Sequence, residues 1–527
     1  MTHLILSFFL LVATASLAQD LSIQWQNTIG GTGGDNARSV SATSDGGYVV
    51  LGRSFSNAGG DKSEDSRGED DYWIVKLDGS GDIVWERTIG GSGPDQGLSV
   101  KQTQDGGYIL VGESLSGVSG EKTEPSVQWD FWVIKLDSSG DIQWQNTISA
   151  DGFERTPTVL LSSDGGYFLG GSSNSDISGD KTEDAIGEFD YWLLKLDSNG
   201  EIVWQNTIGG DGTDFLAHMA ATSDGGVIIG GLSSSGVSGD KTEPSRGDTD
   251  YWLVKTDAGG EIEWDRTLGG DASDNLESIF QTSDGGFILG GSSTSGVSGE
   301  KTEPSVGLTD YWIVKTDENG LVQWDKTIGG DNGDEFGFTV PSNNDSYLVV
   351  GSSLSDASGD KDEDSNGSFD QWVVRLDLQG NIVSQNTIGG AGGEFMFNVE
   401  MEPGTDEFIM LCSSNSDISG DKTEDAVGAN DYWVVSLSSS LSVGSSEFDR
   451  SIVLSPVPFR DSLRLTTSLP VDSIQLIDIH GRLMFSDFLK EAVQDRIIAT
   501  EALSSGVYIL RLAFVDGSFE TRKLIKE

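Results

Sequence analysis

Asp250-Tyr251-Trp252-Leu253-Val254-Lys255-Thr256-Asp257 decides the fold, because close variants of it recur along the chain. Its tryptophan has counterparts at Trp73, Trp132, Trp192, Trp312, Trp372 and Trp433, with spacings of 59, 60, 60, 60, 60 and 61 residues around the set of seven. A fixed period of this length marks a repeat architecture. A second series, Ile-x-Trp-x-x-Thr-Ile-Gly-Gly, alternates with the first and places Trp25, Trp85, Trp144, Trp204, Trp264 and Trp324, with Ser384 in the seventh position.

Around Trp252 four short runs alternate with turn chemistry: Leu216 to Thr222, Val227 to Leu232, Tyr251 to Asp257 and Ile262 to Leu268. Ser223-Asp224-Gly225-Gly226 joins the first pair, and Asp-Gly favours a hairpin because glycine tolerates positive φ. Ala258-Gly259-Gly260 joins the last pair. Helical periodicity is absent. Four antiparallel strands per repeat describe a propeller blade, so the expected fold is all-β, a seven-bladed β-propeller followed by a small β-sandwich domain. The phase of the repeats predicts closure. The chain opens on an Ile-x-Trp strand, Ile23 to Ile29, and the last repeat ends at Tyr432 to Leu437 without one. The N-terminal strand is therefore expected to complete the last blade and remove an exposed sheet edge. The tryptophans are expected in blade-to-blade packing.

The 14 Trp and 22 Phe supply bulky core residues, and 71 Gly supply turns. Cys412 is the single cysteine, so no intrachain disulfide is possible. The net charge of −53 is unevenly spread. From Arg450 onwards acidic and basic residues balance at ten each, leaving 75 acidic against 22 basic residues upstream. Such a field argues against nucleic acid and anionic membranes as partners and favours cations.

Met1 to Ala18 reads as a signal peptide: a short apolar run from Leu4 to Ala13, then Ser16 and Ala18 before a cleavage point, with His3 in place of the usual basic residues. No Cys follows it, which argues against lipidation, and no later stretch has the length of a membrane span. The expected boundaries are 1–18 signal peptide, 19–437 propeller, 438–450 Ser-rich linker and 451–527 a separate β-rich unit.

With strands lettered a to d from the channel outwards, the d–a and b–c loops share one face. Gly-Gly-x-x-x-Asp in the d–a loop places Asp35, Asp95, Glu154, Asp214, Asp274, Asp334 and Glu394, expected to ring the channel mouth as ligand-binding residues. Ser-Gly-Asp-Lys-Thr-Glu in the b–c loop supplies Asp180, Glu183 and Asp190; Asp240, Glu243 and Asp250; and Asp421, Glu424 and Asp431. A further copy opens with Glu300, followed by Glu303 and Asp310. Clustered oxygen ligands suit Ca2+. The spacing is not that of an EF-hand, and Lys241 or Lys422 sits inside the motif, so a purely structural loop is the other reading.

The C-terminal unit contains Ser455-Pro456-Val457-Pro458-Phe459, Ile477-Asp478-Ile479-His480-Gly481-Arg482, Leu503-Ser504-Ser505-Gly506-Val507-Tyr508 and Arg522-Lys523-Leu524-Ile525-Lys526. In these motifs it resembles the type A C-terminal sorting domain of the bacterial type IX secretion system, with Val457 where that family has Asn. The resemblance implies Pro458, Phe459, Asp478, Gly481, Arg482, Gly506, Tyr508 and Lys523 as sorting-motif residues. It also implies the type IX secretion machinery as partner, removal of the domain, and a surface-attached or released product. The repeats resemble the Asp-Tyr-Trp-rich propellers often joined to such domains, a family that brings no established chemistry.

Histidine is scarce, with His218 alone in the propeller and His480 in the C-terminal unit, so Ser–His–Asp arrangements are limited. No catalytic residue is assigned. Departures from the repeat stand out at Ser149 to Arg155, at Trp129, and at Phe395, Met396 and Phe397; they fit a ligand patch or simple loop drift. The expected function is an exported binding or interaction module acting on an extracellular glycan, protein or cation. A secreted carbohydrate-active enzyme using channel-mouth carboxylates is the alternative, and a ligand-free structural role a third.

Overall fold

A computed structural model describes residues 21–342, 346–402, 405–438, 452–455, 459–460, 462–478, 483–500, 503–504, 506–514 and 519–526. The segment 1–18 expected to be a signal peptide and the expected linker beyond Ser438 lie outside the described residues. The chain divides into two compact units, Met1–Ser440 and Leu441–Glu527.

The first unit is seven four-stranded antiparallel sheets. After β1 (Ser22–Ile29), the first blade is β2 (Asp35–Ala42), β3 (Tyr48–Ser54), β4 (Asp71–Leu77) and β5 (Ile83–Ile89), paired in that order. The seventh blade is built from Glu394–Met401, Glu407–Ser414 and Asp431–Ser438, and β1 is its fourth strand, with Thr28 opposite Trp433 and Gln26 opposite Val435. The expected closure is found, and it gives every outer strand a partner. Gly225 adopts φ +88° in the hairpin that Asp224-Gly225 directs, a conformation that a Cβ would strain.

The core lies between blades. Apolar residues of one sheet interleave with those of the next; Val49, Leu51, Tyr72 and Ile74, for example, pack against Val100, Leu110 and Trp132. All seven Asp-Tyr-Trp tryptophans are at most 1% exposed. Six of the seven junctions repeat one ring contact, with Phe131 in place of Tyr at the second and Gln371 in the sixth blade breaking the series, and four of them add a hydroxyl bond. The Tyr72 ring lies 5.2 Å from Trp132 of the next blade and its hydroxyl donates to the Trp132 carbonyl at 3.1 Å. Tyr251 does the same to Trp312, and Tyr432 crosses the closure to Trp73. The second tryptophan series adds an outer tier, with Trp85 5.6 Å from Tyr108 and Trp25 5.8 Å from Tyr48.

The second unit is a five-stranded β assembly in which Ser462–Asp478 pairs with Ile452–Ser455, Leu483–Ala499 and Gly506–Phe514, and Gly506–Phe514 pairs with Phe519–Lys526. The sequence suggests separate runs at 462–466 and 473–478, whereas one strand covers both. Pro470 causes the difference: it cannot donate to the ladder, and the register shifts between Thr466 and Val471 while the strand continues. Phe459, Leu463, Ile474, Tyr508 and Leu524 are among the residues of its core.

Candidate functional site

The d–a carboxylates are inside the blade junctions. Asp35, Asp95, Glu154, Asp214, Asp274, Asp334 and Glu394 are each 0% exposed. Asp274 accepts from the Gly270 N–H at 2.6 Å and from the Ser295 hydroxyl at 2.8 Å, while its own N–H donates to the Thr249 carbonyl of the preceding blade at 2.7 Å. Asp35, Asp95, Asp214 and Asp334 take the same Gly and Ser donors from their own repeats. Glu154 accepts from Ser173 and Ser175, and Glu394 from Gly390, Ser414 and Ser416. Buried donors hold at least one oxygen of each, and the second oxygen of Asp35, Glu154, Asp214, Asp274 and Asp334 has no hydrogen-bond partner among the described residues. The expected ligand-facing ring is found sealed inside the junctions, where it acts as a ring of clasps.

The b–c triads likewise disperse. Asp180 accepts from Ser149 N–H, Glu183 from Thr207 N–H and Asp190 from Ile186 N–H. Asp240, Glu243 and Asp250 accept from the N–H groups of Gly209, Thr267 and Arg246. Asp421, Glu424 and Asp431 accept from those of Gly389, Thr28 and Val427. Lys241 is buried, donates to the Thr267 hydroxyl and lies 5.1 Å from the Trp252 ring. Among the described residues no three His, Cys, Asp or Glu side chains are grouped as a metal site. Ca2+ needs six to eight oxygens; here each carboxylate of the triads accepts from a separate backbone N–H and fastens loop to strand, the arrangement of the structural-loop reading.

At each junction the clasp carboxylate faces the Asp that opens the third strand of the preceding blade. Burial raises Asp71 to about 6, with Asp95 adding repulsion, and raises Asp250 to about 6, with Asp274 adding. Two junctions carry Glu in place of Asp. The extra methylene carries Glu154 toward Asp130 and Glu394 toward Asp370, so that each pair of carboxyls acts on one another's charge. Burial raises Glu154, against the Ser175 hydroxyl that favours its charge, and Asp130 pushes it further up. Two facing buried carboxyls titrate as a pair, and one of them is held above its ordinary value.

The channel supplies what the clasps do not. Its cavity of about 910 Å³ is lined by inner-strand residues of every blade. Every inner strand has a register shift at the same place, between Ala37 and Ser39, Gly97 and Ser99, Arg155 and Thr158, Leu216 and His218, Leu276 and Ser278, Glu335 and Phe338, and Met396 and Asn398. These are β-bulges, which re-aim a side chain. The third residue after each clasp carboxylate falls in the bulge, and it differs in every blade: Arg38, Leu98, Pro157, Ala217, Glu277, Gly337 and Phe397. All but Gly337 line the cavity.

The residue after the bulge has a structural duty. The inner edge of each inner strand has no further strand to pair with, so its N–H groups need other acceptors. Ser39 accepts from Val100 N–H, Ser99 from Val159, Ser278 from Thr339 and Asn398 from Val40, at 2.8 to 3.4 Å. His218 occupies this position in blade 4, and its Nδ1 accepts from Ile279 N–H at 3.4 Å. Burial lowers it to about 4, with Lys101 adding, so it is a neutral acceptor. Glu277 moves the opposite way: burial raises it to about 8 and Glu335 adds repulsion.

Sequence reasoning singled out Phe397 as a departure and missed the other bulge residues. The signal was available as a column of the repeat with seven different residues beside columns that hardly vary. Trp129 and Arg155, also departures, stack on each other at 5.1 Å, and Arg155 pairs with Glu113 at 3.3 Å. Phe395 stacks on Phe369 at 5.3 Å.

In the C-terminal unit Phe459 is fully buried, 6.3 Å from the Tyr508 ring, and the Tyr508 hydroxyl donates to the Ser504 carbonyl at 2.8 Å. Gly506 opens the strand that carries Tyr508. Asp478 is opposite Tyr508 and Lys523 opposite Ile509 in the ladder. Pro458, His480, Gly481 and Arg482 lie outside the described residues.

Over 145 residues the chain is 28% identical to the Regulatory protein FlaEY of Caulobacter vibrioides, covering 26% of this chain and only 15% of that protein. Among solved structures it is similar to PorZ, a surface component of the type-IX secretion system of Porphyromonas gingivalis. That match has 9% identity and a TM-score of 0.40, and covers 92% of this chain and 58% of PorZ. The Pan2 WD40 domain of Neurospora crassa matches at 10% identity and a TM-score of 0.42, over 79% of this chain and 96% of that one. No helix among the described residues is long and apolar enough to cross a membrane. Residues 454–527 match the family described as Secretion system C-terminal sorting domain. The chain is thus a β-propeller carrying a type IX sorting domain, destined for the outer surface or the medium.

Proposed function

We propose that the exported propeller is a binding module whose ligand seats in the central channel against the bulge ring. One observation carries the reading: the repeat is nearly invariant where blades pack, yet the bulge position holds a different residue in each of the seven copies. Packing alone would let one residue type serve all seven. A cavity of about 910 Å³ also falls within the usual size of small-molecule sites, roughly 300–1,000 Å³. The test is a glycan and peptide binding panel run with the full chain and with Ala217→Trp, which fills the channel from one bulge. Binding lost in that variant, at an unchanged melting temperature, is the expected result; a ligand held equally by both places the function elsewhere.

A carbohydrate-active enzyme is favoured by one residue. Glu277, protonated at neutral pH inside the channel, has the state a general acid needs. Hydrolysis abolished by Glu277→Gln with binding retained would replace the binding-only reading.

A further inference from the structure

We infer that the channel ligand carries an anionic group (carboxylate, sulfonate or phosphate) on an apolar body, and that Arg38 receives the anion. The inference rests on the channel reading above and names the ligand's chemistry.

Arg38 is the bulge residue of β2, and its guanidinium lies 4.3 Å from the ring of Phe397, the bulge residue of the seventh blade. The ring holds the guanidinium plane in the channel wall. Among the described residues no carboxylate forms an ion pair with it, and its Nε has no hydrogen-bond partner. The acid that faces it, Glu113, is held by Arg155 at 3.3 Å and accepts from Thr156 N–H at 2.6 Å. Arg53, Arg67, Arg87, Arg155 and Arg246 each have a carboxylate within 3.6 Å, while Arg266 and Arg375 have none but donate to the Asp265 carbonyl and to the Ser342 and Ser346 hydroxyls. In a propeller with more than three acids per base, a channel guanidinium with neither an acid nor a hydrogen-bond acceptor among the described residues is open to an incoming anion. Burial and Arg53 lower Arg38 only to about 10, so it stays charged at neutral pH.

The rest of the lining agrees in sign and polarity. Lys101 comes from the next blade and pairs loosely with Glu400 at 3.8 Å, both partly exposed. Glu277 is neutral at pH 7 and does not repel an anion. Leu98, Pro157, Phe280 and Phe338 give the body of a ligand apolar surface, set beside polar groups such as Ser99, Thr156 and Asn275.

The probe is 1-anilinonaphthalene-8-sulfonate, titrated by fluorescence into the full chain, with the uncharged N-phenyl-1-naphthylamine as its neutral counterpart. Arg38→Met is expected to weaken the sulfonate by at least about tenfold, Arg38→Lys to restore part of that, and the neutral amine to bind both variants as it binds the native chain. Raising NaCl from 50 to 500 mM on the native chain should weaken the sulfonate alone, a readout that needs no variant. Sulfonate affinity indifferent to both Arg38→Met and salt overturns the inference. If Ala217→Trp still abolishes binding of both dyes in that case, the channel reading survives and only the anion assignment falls. If Ala217→Trp changes neither dye, both fall. Displacement by decanoate but not by a uronic acid supports the apolar body, and the reverse overturns it.

Discussion

Asp274 illustrates what a single clasp residue does. It takes two buried donors, the Gly270 N–H and the Ser295 hydroxyl. Asp274→Ala orphans both, at about 1–3 kcal/mol for each donor left unpaired. Urea unfolding should show a lower midpoint at an unchanged slope, with Asp274→Asn milder because one acceptor remains. His218 is a contrasting case: Ser does its job in blades 1, 2 and 5, so His218→Ser is expected to change stability by less than about 1 kcal/mol. A larger loss would mean that the imidazole does more than accept one hydrogen bond. Glu154→Asp draws the carboxyl back from Asp130 to the spacing of the other junctions. It should flatten the pH dependence of stability between about pH 4 and 7, because the folded value of Glu154 is raised to about 7. A group raised in this way stabilises fully below its unfolded value and loses that stability as pH rises through the folded one.

At the scale of strands, the hairpins and the closure were legible in sequence. Asp-Gly turns and a 60-residue period name the blades, and the phase of the repeat names β1 as the missing strand. Deleting residues 19–29 should leave Asp431–Ser438 as a bare edge. A lowered melting temperature and concentration-dependent association on a sizing column are expected. A monomeric, equally stable product would show that the ring holds without its eight-residue latch. The bulges were not legible. A bulge residue sits in an otherwise regular alternating strand, and only the partner strand's register reveals that Ala217 or Glu277 opposes nothing.

Over the whole molecule the carboxylates add up. Asp71 and Asp250 at about 6 and Glu154 and Asp370 at about 7 all lose stabilisation as pH rises from about 4 to 7. The net charge of −53 pushes in the same direction. His218, lowered to about 4, opposes this as one group against many. On the acid side Asp45, held low at about 2 by the Thr43 hydroxyl and Lys76, and Asp164, held there by Lys195, lose their contribution as pH falls below about 4. Calorimetry is therefore expected to place the highest melting temperature near pH 4, well below neutral. At neutral pH, EDTA and millimolar Ca2+ should leave the melting temperature unmoved, since the b–c carboxylates already accept from backbone N–H groups. A rise specific to Ca2+ would restore the metal reading. That reading illustrates the limit of sequence: Asp180, Glu183 and Asp190 look like a ligand set at their spacing, and only the fold shows them turned to three separate donors.

Tandem copies this alike recombine readily, and most junctions are built alike. An aromatic ring against Trp recurs at six of the seven seams and a buried carboxylate at all seven, so exchanging, duplicating or donating a blade keeps most seam contacts while rewriting the order in which Arg38, Leu98, Pro157 and their counterparts line the channel. A lineage with this gene can change its lock by shuffling tumblers, with no new mutation in any of them.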